Sequence, residues 1–323
     1  LIQTVRWVDP DDVAGLTAAV TSRTAAVIAE PIQGEGGIRP LSSSFAQAIS
    51  EVCERTGTLL IADEVQTGLG RTGAPFRFQT IGWKPDLVSV GKALGGGVPV
   101  GAALLSERVA QAISYGDHGS TYGGNLLACR AAVFVLEQLM EHGLIDHVNA
   151  VGPHMERRLR ALALKYPVIT EVRGAGVMWG LQLAVDALPY VDLARERGVL
   201  VNRTDEKVIR LLPALNVTVA DLDPAMDILD AVFAAPGERQ AAVELRRGAH
   251  GVLADHGVAH EQDVGGLRAR LDLLEFRLRF TRAVDFHFFH HPALYAALLD
   301  RLGNPPSCPD EGRPPWIVGG LAS

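Results

Sequence analysis

The sequence predicts an α/β protein: a mostly parallel sheet with covering helices, then a smaller α+β unit and a tail. Three observations carry this. The apolar runs TAAVIAEP from Thr24, TLLIADEV from Thr58 and DLVSVGK from Asp86 are continuous rather than alternating, as in strands covered on both faces. A helical pattern separates the first two, and strand–helix–strand order implies parallel pairing with a right-handed crossover. Beyond Leu144 strands and helices mix without that alternation.

Each element has a local reason. Pro31 ends the run from Thr24. SSSFAQAISEVCERTG from Ser42 reads as a helix: the serines offer an N-cap, Phe45, Ile49, Val52 and Cys53 keep helical spacing, and Gly57 stops it. VGAALLS from Val100 reads as a further strand of the same sheet. NLLACRAAVFVLEQLMEHG from Asn125 reads as a long helix ended by Gly143 and suited to joining two domains. Next come a helix to about Lys165, the stretch EVRGAGVMWGLQL, a helix around Asp192 to Arg197, the runs VLVNR and VIRLLPAL, and a helix from Asp221 to Phe233. The domain reading is 1–143 for a partial large domain, 144–234 for a small C-terminal domain and 235–323 for a helical extension. At about 150 residues per domain, a 323-residue chain fits two units plus an extension.

Composition narrows the function classes. Hydrophobic residues make up 48% and charged residues 21%, as in ordinary globular proteins. The net charge of −7 argues against nucleic acid and anionic membranes as partners. Cys53, Cys129 and Cys308 are odd in number and widely spaced, which fits a reduced cytoplasmic protein better than a disulfide framework. The longest apolar stretch, LLACRAAVFVLEQLM, is broken by Arg130 and Glu137, so no spanning helix is expected. The chain opens at Leu1 without a signal-peptide pattern, and a longer product with a part ahead of Leu1 is expected.

Two residues stand out for chemistry. Of 30 basic residues only Lys84, Lys92, Lys165 and Lys207 are lysine. Lys92, in VSVGKALGGGVPVGA, follows an apolar strand and precedes a glycine run. A strand-end lysine is ordinarily just solvated. In apolar surroundings its pKa falls and the amine becomes a nucleophile able to form a Schiff base. Asp63, in LLIADEVQTGLGRTG, ends a buried strand. Its plain reading is a satisfied strand-end acid; its functional one is a charge partner for a ring nitrogen, which keeps that ring an electron sink. Gly68, Gly70 and Gly73 then read as a mobile loop. Glu30 also ends a strand, so three strand ends are expected to face one crevice, where ligands of parallel sheets bind. HGSTYGGN from His118 puts small hydroxyls and glycines before a helix start, a place for an anion. No Walker-type or dinucleotide fingerprint is present, since the lysine of GKALGGG precedes its glycines.

Together, and in this order, AEPIQGEGG, ADEVQTGLGRTG, GKALGGGVPVGA and HGSTYGGN resemble the class III aminotransferases that use pyridoxal 5'-phosphate (PLP), and within them the acetylornithine and ornithine aminotransferase group. The later EVRGAG and VLVNRTDEKVIRLLPAL resemble it too, so the resemblance covers roughly Leu1 to Ala234. It implies a PLP-dependent transferase fold of type I with an incomplete large domain. It implies that Lys92 carries the cofactor as a Schiff base and moves the substrate proton, and that Asp63 pairs with the ring nitrogen. Val65 would pack on the ring face, Gln66 would lie near the ring hydroxyl, and Glu64 would belong to the cofactor-binding set. Thr121 would hold the phosphate across a homodimer interface, and Ser120 would touch substrate. Glu35 and Arg210 would form an ion pair that opens for a dicarboxylate such as 2-oxoglutarate.

The implied function is a ping-pong transfer of the terminal amino group of N-acetylornithine or ornithine to 2-oxoglutarate, in arginine biosynthesis. Rivals are 4-aminobutyrate-type aminotransferases, glutamate-semialdehyde aminomutases and a non-catalytic remnant. The family's other phosphate loop, ring-stacking aromatic and α-carboxylate arginine find no match in this sequence. In the tail, His287, His290 and His291 alternate with Phe286, Phe288 and Phe289, which reads as an aromatic helix and not a metal site; no metal is expected. Leu267, Leu271, Leu274 and Leu278 read as an amphipathic face.

Overall fold

The computed structural model describes residues 5–235 and 316–318. The tail histidines, the leucine stripe from Leu267 and Cys308 lie outside these residues.

In chain order the first half runs α1 (Val13–Ala19), β1 (Ala26–Ala29), the short hairpin β2 (Ile32–Gln33) and β3 (Arg39–Pro40), α2 (Ser43–Thr56), β4 (Leu59–Asp63), α3 (Arg77–Thr80), β5 (Leu87–Val90), a 3-10 turn (Lys92–Gly95), β6 (Ala102–Ser106), α4 (Glu107–Ala110) and α5 (Leu126–Met140). The second half runs α6 (Leu144–Lys165), β7 (Ile169–Ala175), β8 (Met178–Leu183), α7 (Leu188–Glu196), β9 (Asn202–Asp205), β10 (Val208–Leu211) and α8 (Val219–Ala234), with β11 (Trp316–Val318) beyond.

The α2 boundaries follow from its end residues. The Ser42 side chain accepts from the Phe45 N–H, and Gly57 takes φ 73°, a left-handed end that glycine adopts without a side-chain clash. Phe45, Ile49, Val52 and Cys53 are all buried, so the predicted stripe is the packed face. Asn125 caps α5 by accepting from the Ala128 N–H at 2.9 Å. The helix from Asn125 stops at Met140, and Gly143, at φ 73°, opens α6.

The first sheet has the order β1-β4-β5-β6-β11. β1 pairs with β4 and β4 with β5 in parallel, with Ala29 opposite Ala62 and Asp63 opposite Ser89. The α/β class and the parallel core are as expected. The direction of β6 is not: it runs antiparallel to β5, Val90 facing Ala102. A parallel return needs a crossover of about a dozen residues or more, usually helical. The segment from Lys92 to Gly101 holds only a 3-10 turn and folds straight back.

The second sheet has the order β7-β8-β10-β9 and is antiparallel throughout. EVRGAGVMWGLQL folds as the β7–β8 hairpin, and the VLVNR strand sits further on, at Asn202–Asp205. Buried apolar side chains gather in two main clusters. One, with Ile49, Val52, Leu60, Ala62, Val88 and Leu104, lies against the parallel strands. The other, with Met155, Leu159, Leu181, Ile209, Leu229 and Phe233, lies between the second sheet and α6 and α8.

Ile49 is 2% exposed at the centre of the first cluster. Ile49→Ala is expected to cost about 2–5 kcal/mol through lost burial and a residual cavity. Urea titration followed by circular dichroism checks this; a loss under about 1 kcal/mol would show that α2 does not hold the sheet.

Candidate active site

The site forms where β1, β4 and β5 end. Glu30 follows the last residue of β1, Asp63 is the last of β4, and Gly91 and Lys92 follow β5. Parallel pairing places these ends side by side, so groups far apart in sequence meet at one edge. The Lys92 backbone sits at φ 45°, left-handed and unusual for a side chain with a β-carbon. Burial pushes the Lys92 amine below the ordinary lysine range, and Arg210 adds to this; Glu35, Glu30 and Asp63 oppose it. Burial likewise raises the Glu30 carboxyl, with the Gly34 N–H, 2.9 Å from its Oε2, pulling the other way.

Asp63 is fixed by two donors on one oxygen. Its Oδ1 accepts from Ser89 Oγ at 3.0 Å and from the Val65 N–H at 3.1 Å. Val65 lies over Gly91: a β-carbon there would stand 3.7 Å from Val65 Cγ1. A carboxylate, an amine and an aliphatic face thus share one small area.

Beside them lies a second cluster. Arg210 on β10 donates through Nη1 to Glu35 Oε1 at 2.8 Å and to Gln66 Oε1 at 3.3 Å, while Gln66 Nε2 donates to Glu35 Oε1 at 3.0 Å. Burial would raise the Glu35 carboxyl, but the Arg210 and Gln66 hydrogen bonds outweigh it and hold it below the ordinary value. The Arg210 Nε is buried with no hydrogen-bond partner. The guanidinium is therefore only partly matched, which costs free energy until a further acceptor arrives.

The structure thus brings Lys92, Asp63, Val65, Gln66, Glu35 and Arg210 together. Ser120, half-buried, and Thr121, exposed, lie on the turn ahead of α5. Glu64 is bonded within its own loop. It is 1% exposed, its Oε2 accepts from Thr67 Oγ1 at 2.5 Å and its Oε1 from the Phe78 N–H at 2.6 Å. Both oxygens are consumed in holding the 64–78 loop, because side chains at a strand end alternate and Glu64 faces away from its neighbours. Its carboxyl is raised by burial.

The glycine loop read as mobile is also tied down. Arg71 donates to the Pro213 carbonyl at 2.5 Å, Val177 N–H donates to the Arg71 carbonyl at 3.1 Å, and Asn149 Nδ2 donates to the Gly73 carbonyl at 2.9 Å. Burial lowers the Arg71 guanidinium to about 10. Arg71 and Ser89 were not singled out from sequence. The one available signal is a serine inside the otherwise apolar LVSV from Leu87; nothing local marks Arg71, whose partner is 142 residues away. Among the described residues no cluster of three or more His, Cys, Asp or Glu is placed to hold a metal ion, and no helix is long and apolar enough to cross a membrane.

Fold and site together define the class. Residues 10–233 match the class III aminotransferase family, and the chain belongs to it. The family is PLP-dependent. The chain is 43% identical over 228 residues to the acetylornithine aminotransferase of Methanocaldococcus jannaschii, covering 71% of this chain and 57% of that protein. It is 41% identical over 231 residues to that of Clostridium acetobutylicum, covering 71% and 60%. Among solved structures it resembles N-acetylornithine aminotransferase from Stenotrophomonas maltophilia K279a at TM-score 0.65 and 35% identity, covering 71% of this chain and 62% of that one. It also resembles an ornithine aminotransferase from Toxoplasma gondii at TM-score 0.68 and 34% identity, covering 73% and 57%. The chain therefore spans less than two thirds of the length of these relatives.

The residues present fit PLP: an amine with a lowered pKa for its aldehyde, a carboxylate fixed by two donors for its ring nitrogen, and the Val65 side chain beside them as an aliphatic face.

Glu30 provides a test of the charge balance. Its folded pKa lies above the ordinary 4.5. Its favourable contribution is thus full below 4.5 and is lost as pH rises through the raised value. Glu30→Gln removes this loss, so the variant is expected to gain on the wild type as pH rises through that window. Denaturant titrations at a series of pH values check this; a stability difference flat with pH contradicts it.

Proposed function

We propose that the protein is an aminotransferase acting on the terminal amino group of N-acetylornithine or ornithine, with 2-oxoglutarate as acceptor, in arginine biosynthesis. The observation that carries the reading is the half-matched Arg210, held by Glu35 and Gln66 beside Lys92. A guanidinium fork with a free buried N–H suits a carboxylate. A glutamate 64% exposed can swing aside to admit a dicarboxylate and return to mask the arginine when the other substrate is bound.

Each residue then has a task. When bound, PLP supplies an aldehyde for the amine and a protonated ring that accepts the electrons released at the substrate carbon. Lys92, whose lowered pKa leaves more of it neutral, anchors the cofactor and then holds the proton taken from the substrate. Asp63 keeps the ring nitrogen protonated. Val65 would pack against the ring and keep water from it, and Gln66 would lie near the ring hydroxyl. Arg210 orients the acceptor through its second carboxylate.

In this reading the units are 1–143 and 144–234, and the working form is a cytoplasmic homodimer. Thr121, exposed ahead of α5, then reaches a phosphate in the second subunit's site, and Ser120 touches substrate.

Incubation with PLP followed by borohydride is expected to fix one cofactor on Lys92, mapped by peptide mass spectrometry. Lys92→Ala is expected to lose it. Absence of the adduct in the wild type, or its survival in Lys92→Ala, contradicts the reading. Arg210→Ala is expected to raise the KM for 2-oxoglutarate about 10- to 100-fold, as loss of a charge-assisted contact implies, with a smaller effect on the amino donor.

A further inference from the structure

We propose that Ser89 is a positioning residue: its hydroxyl fixes the Asp63 carboxylate through Oδ1 and so presents Oδ2 to the ring nitrogen of the cofactor. The inference rests on the PLP reading above and concerns how Asp63 is aimed.

Ser89 is 3% exposed, and its β5 neighbours Val88 and Val90 are buried aliphatics. A hydroxyl in such a strand is costly unless it is bonded. Here it donates to Asp63 Oδ1 at 3.0 Å. The contact is set by sheet register, since Asp63 and Ser89 are direct partners across the parallel β4–β5 pair. The backbone closes the same unit: Glu64 N–H donates to the Ser89 carbonyl at 3.0 Å, and Val65 N–H donates to Asp63 Oδ1 at 3.1 Å.

Both donors therefore meet the same carboxylate oxygen. Two donors on Oδ1, a hydroxyl from β5 and a backbone N–H from the turn after β4, fix the plane of the carboxylate. Neither engages Oδ2, which remains for a third donor. A ring N–H is a single directional donor, and a carboxylate free to rotate would lose entropy and alignment on meeting it. Ser89 removes that freedom before the cofactor arrives. A purely structural serine would instead lower the affinity for any ligand of the same shape, whether or not it carries the nitrogen.

The discriminating experiment uses two probes, PLP and its 1-deaza analogue, in which a C–H replaces the ring nitrogen. Dissociation constants are measured for wild type, Ser89→Ala and Ser89→Thr by equilibrium dialysis. Ser89→Ala is expected to weaken PLP about tenfold, in the range for a hydrogen bond to a charged group, while changing the analogue less than about twofold. Ser89→Thr, which keeps the hydroxyl, is expected to restore PLP binding. Equal weakening of both probes, or of neither, overturns the inference while leaving the PLP reading standing. Failure of the wild type to bind either probe removes the PLP reading instead. In that case the ligand-free crystal structure of Ser89→Ala decides: a rotated Asp63 carboxylate supports the positioning role, and an unchanged one overturns it.

Discussion

Parallel pairing of β1, β4 and β5 is the constraint on which the site depends. Parallel strands end at the same edge, so Glu30, Asp63 and Lys92 meet there although they are spread over more than sixty positions of sequence. The register does more than collect them. By setting Asp63 opposite Ser89 it supplies the Asp63 Oδ1 hydrogen bond, and by ending β5 at Val90 it places Gly91 beneath Val65 and Lys92 on the following turn. A slip of one residue in β5 would turn Ser89 and Lys92 to the other face and dismantle the arrangement.

The second constraint is charge. Acids Glu30, Glu35 and Asp63 surround the bases Lys92 and Arg210 in a partly buried space. Arg210 comes from β10 of the second sheet and reaches Glu35 and Gln66 of the first half. The two halves are joined again through the Arg71 contact to Pro213, three residues beyond Arg210. The glycine loop therefore links the position of the guanidinium to the turn that carries Val65 and Gln66. Glu64, buried inside that loop, holds its shape while its neighbours Asp63 and Val65 face the site.

Much of this was legible from local sequence. The ends of apolar runs located Asp63 and Lys92, and the scarcity of lysine drew attention to Lys92. Ser42 and Gly57 bounded α2 because capping is a local effect. The Glu35–Arg210 pair came from the family resemblance, since nothing in the spacing of residues 35 and 210 announces a contact. What was not legible was non-local or directional. The antiparallel return of β6 follows from a connection without a helix, a geometric consequence of what the chain lacks there. Glu64 was grouped with its neighbours because motif reading treats adjacent residues alike, whereas a strand end points them in opposite directions. Arg71 lies in a glycine-rich segment that reads as a free loop until its partner Pro213, just past the end of β10, is known.

The central claim is that the fold prepares Lys92 as a nucleophile before any cofactor binds. The most direct measurement is the titration of the four lysine side chains in the ligand-free protein, by NMR of ε-labelled lysine. Lys92 is expected to titrate below the ordinary 10.5, its burial outweighing the nearby acids. Lys165, bonded to Asp230 at the surface, is expected above 10.5 and serves as the internal contrast. A Lys92 midpoint at or above 10.5 would contradict the account, because an amine that stays protonated at the strand end is a solvated cation and not a prepared nucleophile.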